Sequence, residues 1–213
     1  MKKQGVSSRK ALWSVTILSV ALLSSCTKKL PAPASQSQTG VASWYGHPFD
    51  GRPTASGEIY DMEKMTAAHR TLPFGTMLHV VRLDSGKTTE VRVNDRGPFV
   101  QDRIIDLSHA AATSIAMPGT ANVRLDVVSI PPRRAADVFA VQVGAFAQQP
   151  QAAQLREEMQ QKYGAASLVF RPGDQTWRVL VGLFPTMEAA NALAPQLDKE
   201  AGPAFVVLVD SEQ

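Results

Sequence analysis

Apolar and polar positions alternate along this chain at two different periods, and the change of period divides it. Between residues 40 and 130, short runs of alternating character are separated by turns rich in Gly and Pro; the runs cover 40–45, 76–83, 88–94 and 123–129. In Val81-Arg82-Leu83 and Val91-Arg92-Val93 every second side chain is apolar, as a strand with one buried face requires. Asp84-Ser85-Gly86-Lys87, between two of these runs, predicts a hairpin turn. Ser108, followed by His109-Ala110-Ala111-Ala112-Thr113-Ser114-Ile115-Ala116 and stopped by Pro118-Gly119, predicts one short helix with Ser108 as its N-cap. A region of this size that is mostly β with a short helix predicts a small barrel.

After Ile130 the pattern breaks at Pro131-Pro132, which ends a strand and opens a linker over 131–136. Beyond it the chain repeats itself. Val141-Gln142-Val143-Gly144-Ala145-Phe146 recurs as Val179-Leu180-Val181-Gly182-Leu183-Phe184, an offset of 38 residues. The same offset pairs Ala152 with Ala190 and Leu155 with Leu193. Ala152, Leu155, Met159 and Tyr163 form an apolar stripe at helical spacing, which reads as a core-facing helix and nothing more. Gly164 ends that helix, a strand follows over 167–171, and the second unit closes with a strand over 204–209. Two strand-helix-strand units predict a four-stranded sheet backed by two helices, the ferredoxin-like βαββαβ arrangement. The sheet face away from the helices is then expected to be open, a platform for a ligand.

The amino terminus has a third character. Lys2, Lys3, Arg9 and Lys10 precede an apolar run from Ala11 to Leu23, too short for a spanning helix, which needs ~20 apolar residues. The run ends Leu23-Ser24-Ser25-Cys26, which resembles a bacterial lipobox, with the only cysteine of the chain at the position that receives the lipid. Residues 1–25 are therefore expected to be a lipoprotein signal peptide, and 26–39 a flexible tether from lipidated Cys26 to the first domain. Thr27, rather than an aspartate, follows the lipidated position. By resemblance to Gram-negative lipoproteins, this implies the outer membrane facing the periplasm, with stable anchoring by more than one acyl chain.

The leader changes the meaning of the charge. The whole chain of 213 residues carries a formal +3. Removing the leader takes away four of the 22 basic residues and none of the 19 acidic ones, which leaves −1. A near-neutral mature chain argues against nucleic acid as a partner, since phosphate binding needs a basic surface. A single cysteine excludes an internal disulfide framework and multi-cysteine metal sites. His47, His69, His79 and His109 have no metal-ligand spacing, and Ser43, Ser56 and Ser108 stand in no nucleophile elbow, so neither metal nor acyl chemistry is expected.

Five motifs occur in one order: Ala42-Ser43-Trp44-Tyr45-Gly46, Thr54-Ala55-Ser56-Gly57-Glu58, Thr66-Ala67-Ala68-His69-Arg70-Thr71-Leu72-Pro73-Phe74-Gly75-Thr76, Val93-Asn94-Asp95-Arg96-Gly97-Pro98-Phe99 and Arg103-Ile104-Ile105-Asp106-Leu107-Ser108. Together they resemble the rare lipoprotein A family of septal-ring lytic transglycosylases. The repeat region resembles the SPOR domain that accompanies that family. The resemblance implies a six-stranded double-psi β-barrel over 40–130 and a SPOR peptidoglycan-binding domain over 137–213. It also implies cleavage of the MurNAc–GlcNAc β-1,4 bond of stem-peptide-free glycan at the division septum, with 1,6-anhydro-MurNAc ends and no cofactor. Septal division proteins are further expected partners.

Such a reaction needs one carboxyl that first protonates the leaving oxygen and then takes the proton of the sugar's own C6 hydroxyl. That carboxyl must hold its proton near neutral pH, which burial or a neighbouring carboxylate achieves. Asp95, where a strand runs into Arg96-Gly97-Pro98, is the leading candidate; its plainer alternative is a turn aspartate capping its own backbone. By resemblance, Glu58 and His69 join it as catalytic residues, and Asp61 and Asp106 hold sugar hydroxyls. The alternatives are a solvated loop glutamate, a core histidine and a helix-entry aspartate. Trp44 and Tyr45 either stack on sugars or plug the barrel. In the second domain Gln142, Trp177 and Arg178 are the binding candidates, with Trp177 alternatively plain core. Ala145 stands where SPOR domains commonly carry a small hydroxyl residue. The competing reading for the whole chain is a non-catalytic outer-membrane scaffold that binds septal peptidoglycan in an expansin-like groove.

Overall fold

The structure, a computed structural model, describes residues 37–132 and 138–209. Six strands make a closed barrel: β1 (Ser37–Tyr45), β2 (Thr66–Ala68), β3 (Met77–Arg82), β4 (Thr88–Asp95), β5 (Arg103–Ser108) and β6 (Ala121–Ser129). Their order around the barrel is β1-β5-β2-β4-β3-β6. The β1–β5 and β2–β4 pairs are parallel and the rest antiparallel, the double-psi arrangement in a ring with no free edge. Alternation fills the interior: Leu78 and Val80, Val91 and Val93, Ile105 and Leu107, and Val123 and Leu125 are all buried. Arg82 and Lys87 close the β3–β4 hairpin by a 2.8 Å backbone bond, with Gly86 at φ +69 supplying the left-handed turn residue. Helix α1 (His109–Ser114) follows β5 directly, and Ser108 Oγ accepts the Ala111 N–H at its start.

Two features of the barrel lie outside the periodicity reading. β2 is three residues long, too short to show alternation. β1 begins at Ser37, three residues inside the expected tether, because Ser37, Gln38 and Thr39 pair with Asp126, Leu125 and Arg124 of β6.

The second domain runs β7 (Val138–Phe146), α2 (Gln149–Tyr163), β8 (Ala166–Arg171), β9 (Thr176–Phe184), α3 (Met187–Ala201) and β10 (Phe205–Val209). Its sheet order, β10-β7-β9-β8 with every pair antiparallel, is the ferredoxin-like one. The repeat is structural: Ala152 and Ala190 occupy matching positions on the two helices, both fully buried against a core of Val141, Val143, Val179 and Val181. Gly144 and Gly182 also match, and each lies under the ring of the phenylalanine two residues on. Gly182 has φ +75, and a Cβ there would meet the Phe184 ring at 2.3 Å. Gly182→Ala is therefore expected to destabilise the second domain by about 1–3 kcal/mol, read by denaturant unfolding, because strain and overpacking act together.

The sheet's other face is not open. Ala140, Leu180 and Val207 form a small apolar cluster there, and Phe99 from the barrel packs onto it. Such a patch is costly to leave in water, so the barrel's loop closes it. The docking is reinforced by the Leu208 N–H, which donates to the Arg70 carbonyl at 3.0 Å, and by Arg52, which donates to the Gly173 carbonyl at 3.2 Å. Gly173 approaches so closely that a Cβ there would lie 2.2 Å from the Pro53 carbonyl oxygen.

Candidate active site

Asp95 is the last residue of β4, at the point where the chain leaves the barrel wall. Its carbonyl accepts the His69 N–H at 3.1 Å, across a register shift in the β2–β4 pair. Its Oδ1 accepts two backbone N–H groups, from Ala55 at 2.9 Å and from Arg96 at 2.7 Å. Among the described residues Oδ2 makes no hydrogen bond, so it is the oxygen available to carry a proton. Burial pushes the Asp95 carboxyl above the ordinary carboxylate range; the charge of Arg171, the two backbone bonds and then Arg178 pull against it without cancelling it.

The loop 54–58 explains how one oxygen is held. Thr54 N–H and Thr54 Oγ1 both donate to the Glu58 carbonyl, and Gly57 turns at φ +86. This tight loop is fixed to β4 by the Ser56 N–H donating to the Asn94 carbonyl, which sets the Ala55 N–H on Asp95. The motif Thr54-Ala55-Ser56-Gly57-Glu58 thus acts on the acid through its backbone.

Next to the end of β4 lies a groove of about 440 Å³, whose lining includes Arg96 but not Asp95 itself. One wall carries Trp44, Tyr45, Arg103 and Asp106, the other Arg171 and Arg178. Trp44 is 36% exposed, donates through Nε1 to the Pro118 carbonyl and leans on His109, so its ring is held at the groove. Tyr45 stacks on Tyr60 at 4.2 Å, and its hydroxyl is buried without a hydrogen-bond partner among the described residues. Burial, and then the neighbouring Asp95, push the Tyr45 phenol pKa up, so it stays a donor. Asp106 is ion-paired in the groove: both oxygens accept from Arg103 Nη2, at 2.6 and 2.7 Å, and Oδ1 also accepts from Ser43 Oγ at 2.5 Å.

Three further expected site residues, like Asp95, are not among the residues lining the groove. Glu58 is gripped by Arg92 through two bonds of 2.7 and 2.8 Å and receives Asn94 Nδ2 at 3.1 Å. The Arg92 bond holds its carboxyl below the usual range, so it is an ionised anchor for the loop and not a proton donor. His69 is 3% exposed; its Nδ1 accepts the Thr71 and Leu72 N–H groups, and its Nε2 lies 3.3 Å from Gln38 Oε1. Burial and the Arg70 and Arg96 charges push its pKa down to about 3, so it is a neutral core histidine that turns the chain after β2. Asp61 caps its own loop, accepting the Glu63 N–H and pairing with Lys64, and does not line the groove.

The neutral state of His69 has a measurable consequence. Its folded pKa lies below the unfolded value near 6.5, so the unfolded chain binds the extra proton between the two. Its contribution is complete above that unfolded value and is lost as pH falls from about 6.5 towards 3. Thermal melts from pH 7 to pH 4 are expected to lose stability, with the loss reduced in His69→Gln.

In the second domain, Trp177 packs against the helices and leans on Phe170, while Arg178 points to the opposite face. Arg178 donates to Gln142 Oε1 at 3.0 Å and to Asp174, and lies 4.0 Å over the Phe99 ring. Gln142 and Arg178 are both nearly fully buried, so the expected glycan platform is occupied by the barrel's Phe99 loop. Phe99, Arg103 and Arg171 were not among the expected site residues. Arg171 carried a signal, since it alternates with Val169 onto the face that Arg178 shares.

A six-stranded double-psi barrel with a buried acid next to a groove, joined to a split βαββαβ domain, defines a barrel-type lytic transglycosylase with a SPOR domain. The comparisons agree in both halves: a family model described as "Lytic transglycolase" matches residues 37–127, and one described as "SPOR domain" matches 135–208. The endolytic peptidoglycan transglycosylase RlpA of Vibrio cholerae is 41% identical over 190 residues, covering 84% of this chain and 72% of that protein. The protein of the same name from Helicobacter pylori is 37% identical over 193 residues, covering 76% of this chain and 61% of that one. The one from Pseudomonas aeruginosa is 49% identical over 123 residues, 54% of this chain and 36% of its own length. This chain belongs to the RlpA family.

Proposed function

We propose that this protein cleaves the MurNAc–GlcNAc β-1,4 bond of peptidoglycan strands that lack stem peptides, leaving 1,6-anhydro-MurNAc ends. The observation that carries the reading is Asp95, a carboxyl whose proton is favoured by burial while one oxygen is held by two backbone N–H groups. In the first half-reaction Asp95 gives its proton to the glycosidic oxygen as the C1–O4 bond breaks. In the second, the resulting carboxylate takes the proton of the C6 hydroxyl as O6 bonds to C1. The acid is regenerated and no water enters, so a single carboxyl serves both steps. Trp44 offers a face for a pyranose ring, and Asp106 acceptors for sugar hydroxyls.

Incubating the mature chain with peptide-free sacculi and examining the products by mass spectrometry tests this directly. Peptide-free glycan fragments ending in 1,6-anhydro-MurNAc are the expected result, whereas binding without any such product would leave only the scaffold reading. Lipidation of Cys26, which lies outside the described residues, and enrichment at the outer-membrane side of the septum complete the proposal. A fluorescent fusion of the whole chain distributed evenly around the envelope would count against the septal part.

A further inference from the structure

Both backbone groups that hold Asp95 Oδ1 belong to segments that the second domain touches. The β8–β9 turn, Pro172-Gly173-Asp174-Gln175, is fixed from within. Asp174 Oδ1 accepts the Thr176 N–H and Oγ1 at 3.2 and 2.6 Å, and its Oδ2 accepts from Arg178. At the start of this turn Arg171 Nη1 donates at 2.6 Å to the carbonyl of Arg96, the residue whose N–H donates to Asp95. Arg96 is itself anchored in the barrel, where its Nη1 donates to the His69 and Leu72 carbonyls at 3.2 and 2.9 Å. At the tip, Gly173 lies against Pro53, and its carbonyl accepts from Arg52. Pro53 leads directly into Thr54-Ala55, and the Ala55 N–H is the other donor to Asp95. The Tyr60 N–H donates to the Arg52 carbonyl at 2.8 Å and Pro53 is bridged to Ile59, so a push at Pro53 is carried to the tight loop beyond it.

Resting on the proposed role of Asp95 as the acid, we infer that the β8–β9 turn is a positioning element for catalysis, in which Gly173 and Arg52 set the Ala55 N–H on Asp95. The turn is a strut between a fixed point, Arg96, and an adjustable one, the 54–58 loop. Within the barrel that loop is tied to β4 through Ser56 and Glu58, both after Ala55; the strut supplies the hold before it. The Gly173 backbone lies outside the left-handed region, and a Cβ there would meet Pro53 alone, so the glycine serves this contact. Neither Gly173 nor Arg52 lines the groove, which separates them from the residues that meet a glycan there. Burial raises the Asp95 pKa, and the charges that oppose it, Arg171 and then Arg178, flank the same turn. Cleavage is thereby coupled to docking: with the second domain displaced, Asp95 keeps its place on β4 but loses the fixed hold on its Oδ1.

The test uses the mature chain with peptide-free glycan at saturating concentration, so that kcat for anhydro-end formation reads positioning apart from affinity. Gly173→Ala pushes the turn off Pro53 and is expected to lower kcat about tenfold, since small misplacements of a catalytic group cost that much or more. Arg52→Ala is expected to lower kcat by less, and Arg52→Lys, which keeps a donor for the Gly173 carbonyl, to restore part of it. Amide exchange followed by NMR in the same proteins is expected to show the Ala55 N–H losing protection about tenfold in Gly173→Ala. The Val93 N–H, bonded to the Thr76 carbonyl within the barrel, is expected to keep its protection. Unchanged kcat in both Gly173→Ala and Arg52→Ala, an effect confined to KM, or full protection of Ala55 in Gly173→Ala would each overturn the inference. The exchange measurement needs no turnover. If the parent forms no anhydro ends while Ala55 still loses protection in Gly173→Ala, the cleavage reading is removed and the hold on Asp95 stands. If the parent cleaves and neither variant changes kcat, this inference alone is removed.

Discussion

Asp95→Asn is expected to lower the rate of anhydro-product formation by about 10²–10⁴-fold while leaving strand binding and the fold in place. The asparagine keeps an oxygen to accept the Ala55 and Arg96 N–H groups but has no proton to give to the glycosidic oxygen. The pH behaviour distinguishes this from a structural effect. The acid must start protonated, so the wild-type rate is expected to fall as pH rises through the raised Asp95 pKa. Stability follows the same proton. Because the folded-state pKa is raised, the folded chain holds a proton that the unfolded chain releases, and stability is lost as pH rises from 3.8 through the folded value. Asp95→Asn has no such loss, so it is expected to be at least as stable as the wild type at neutral pH. An inactive variant that is also unstable at neutral pH would point to a capping aspartate instead.

The second large effect is expected at Phe99. Its ring covers Ala140, Leu180 and Val207, meets Phe205 edge-on at 6.1 Å, and lies under Arg178. An aromatic anchor in a small interface carries a disproportionate share of the association, about 2–4 kcal/mol on truncation. Phe99→Ala is therefore expected to turn one cooperative calorimetric transition into two, one for each domain. Each domain has its own core, one inside the barrel and one between the sheet and its helices, so uncoupling need not unfold either. A single transition with an unchanged midpoint would show that Phe99 contributes nothing to the docking.

What the sequence made legible follows from how local each cause is. The hairpin at Gly86, the Ser108 cap and the repeat that places Ala152 and Ala190 are written in neighbouring residues, and periodicity finds them. β2 is too short to carry a period, and Ser37–Thr39 become strand only because β6 offers them partners. The site divides in the same way. Asp95 stands where a strand ends in a turn, which the order of residues reveals. That Glu58 is held by Arg92, 34 residues away, and that His69 is enclosed with its Nδ1 filled by backbone donors, are tertiary facts. The covered sheet face is the largest departure: alternation along a strand puts Trp177 and Arg178 on opposite faces, but it says nothing about which surface another domain will take.

The docked sheet face also sets the terms on which a second strand of glycan can be held. Arg178 stacks on Phe99 and Gln142 is buried beside it, so if glycan binds that face as the SPOR resemblance implies, its binding would compete with docking of the second domain on the barrel. Competition of this kind is reciprocal: whatever free energy docking contributes is subtracted from the affinity of the face for glycan, and the reverse. The connection between Ser129 and Val138 is eight residues, which reach at most ~28 Å when extended. Tied so closely, the two domains see each other at an effective concentration in the millimolar range. A free strand must outcompete that local concentration to open the pair, so dense glycan, rather than stray chains, is what would separate the sheet from the barrel.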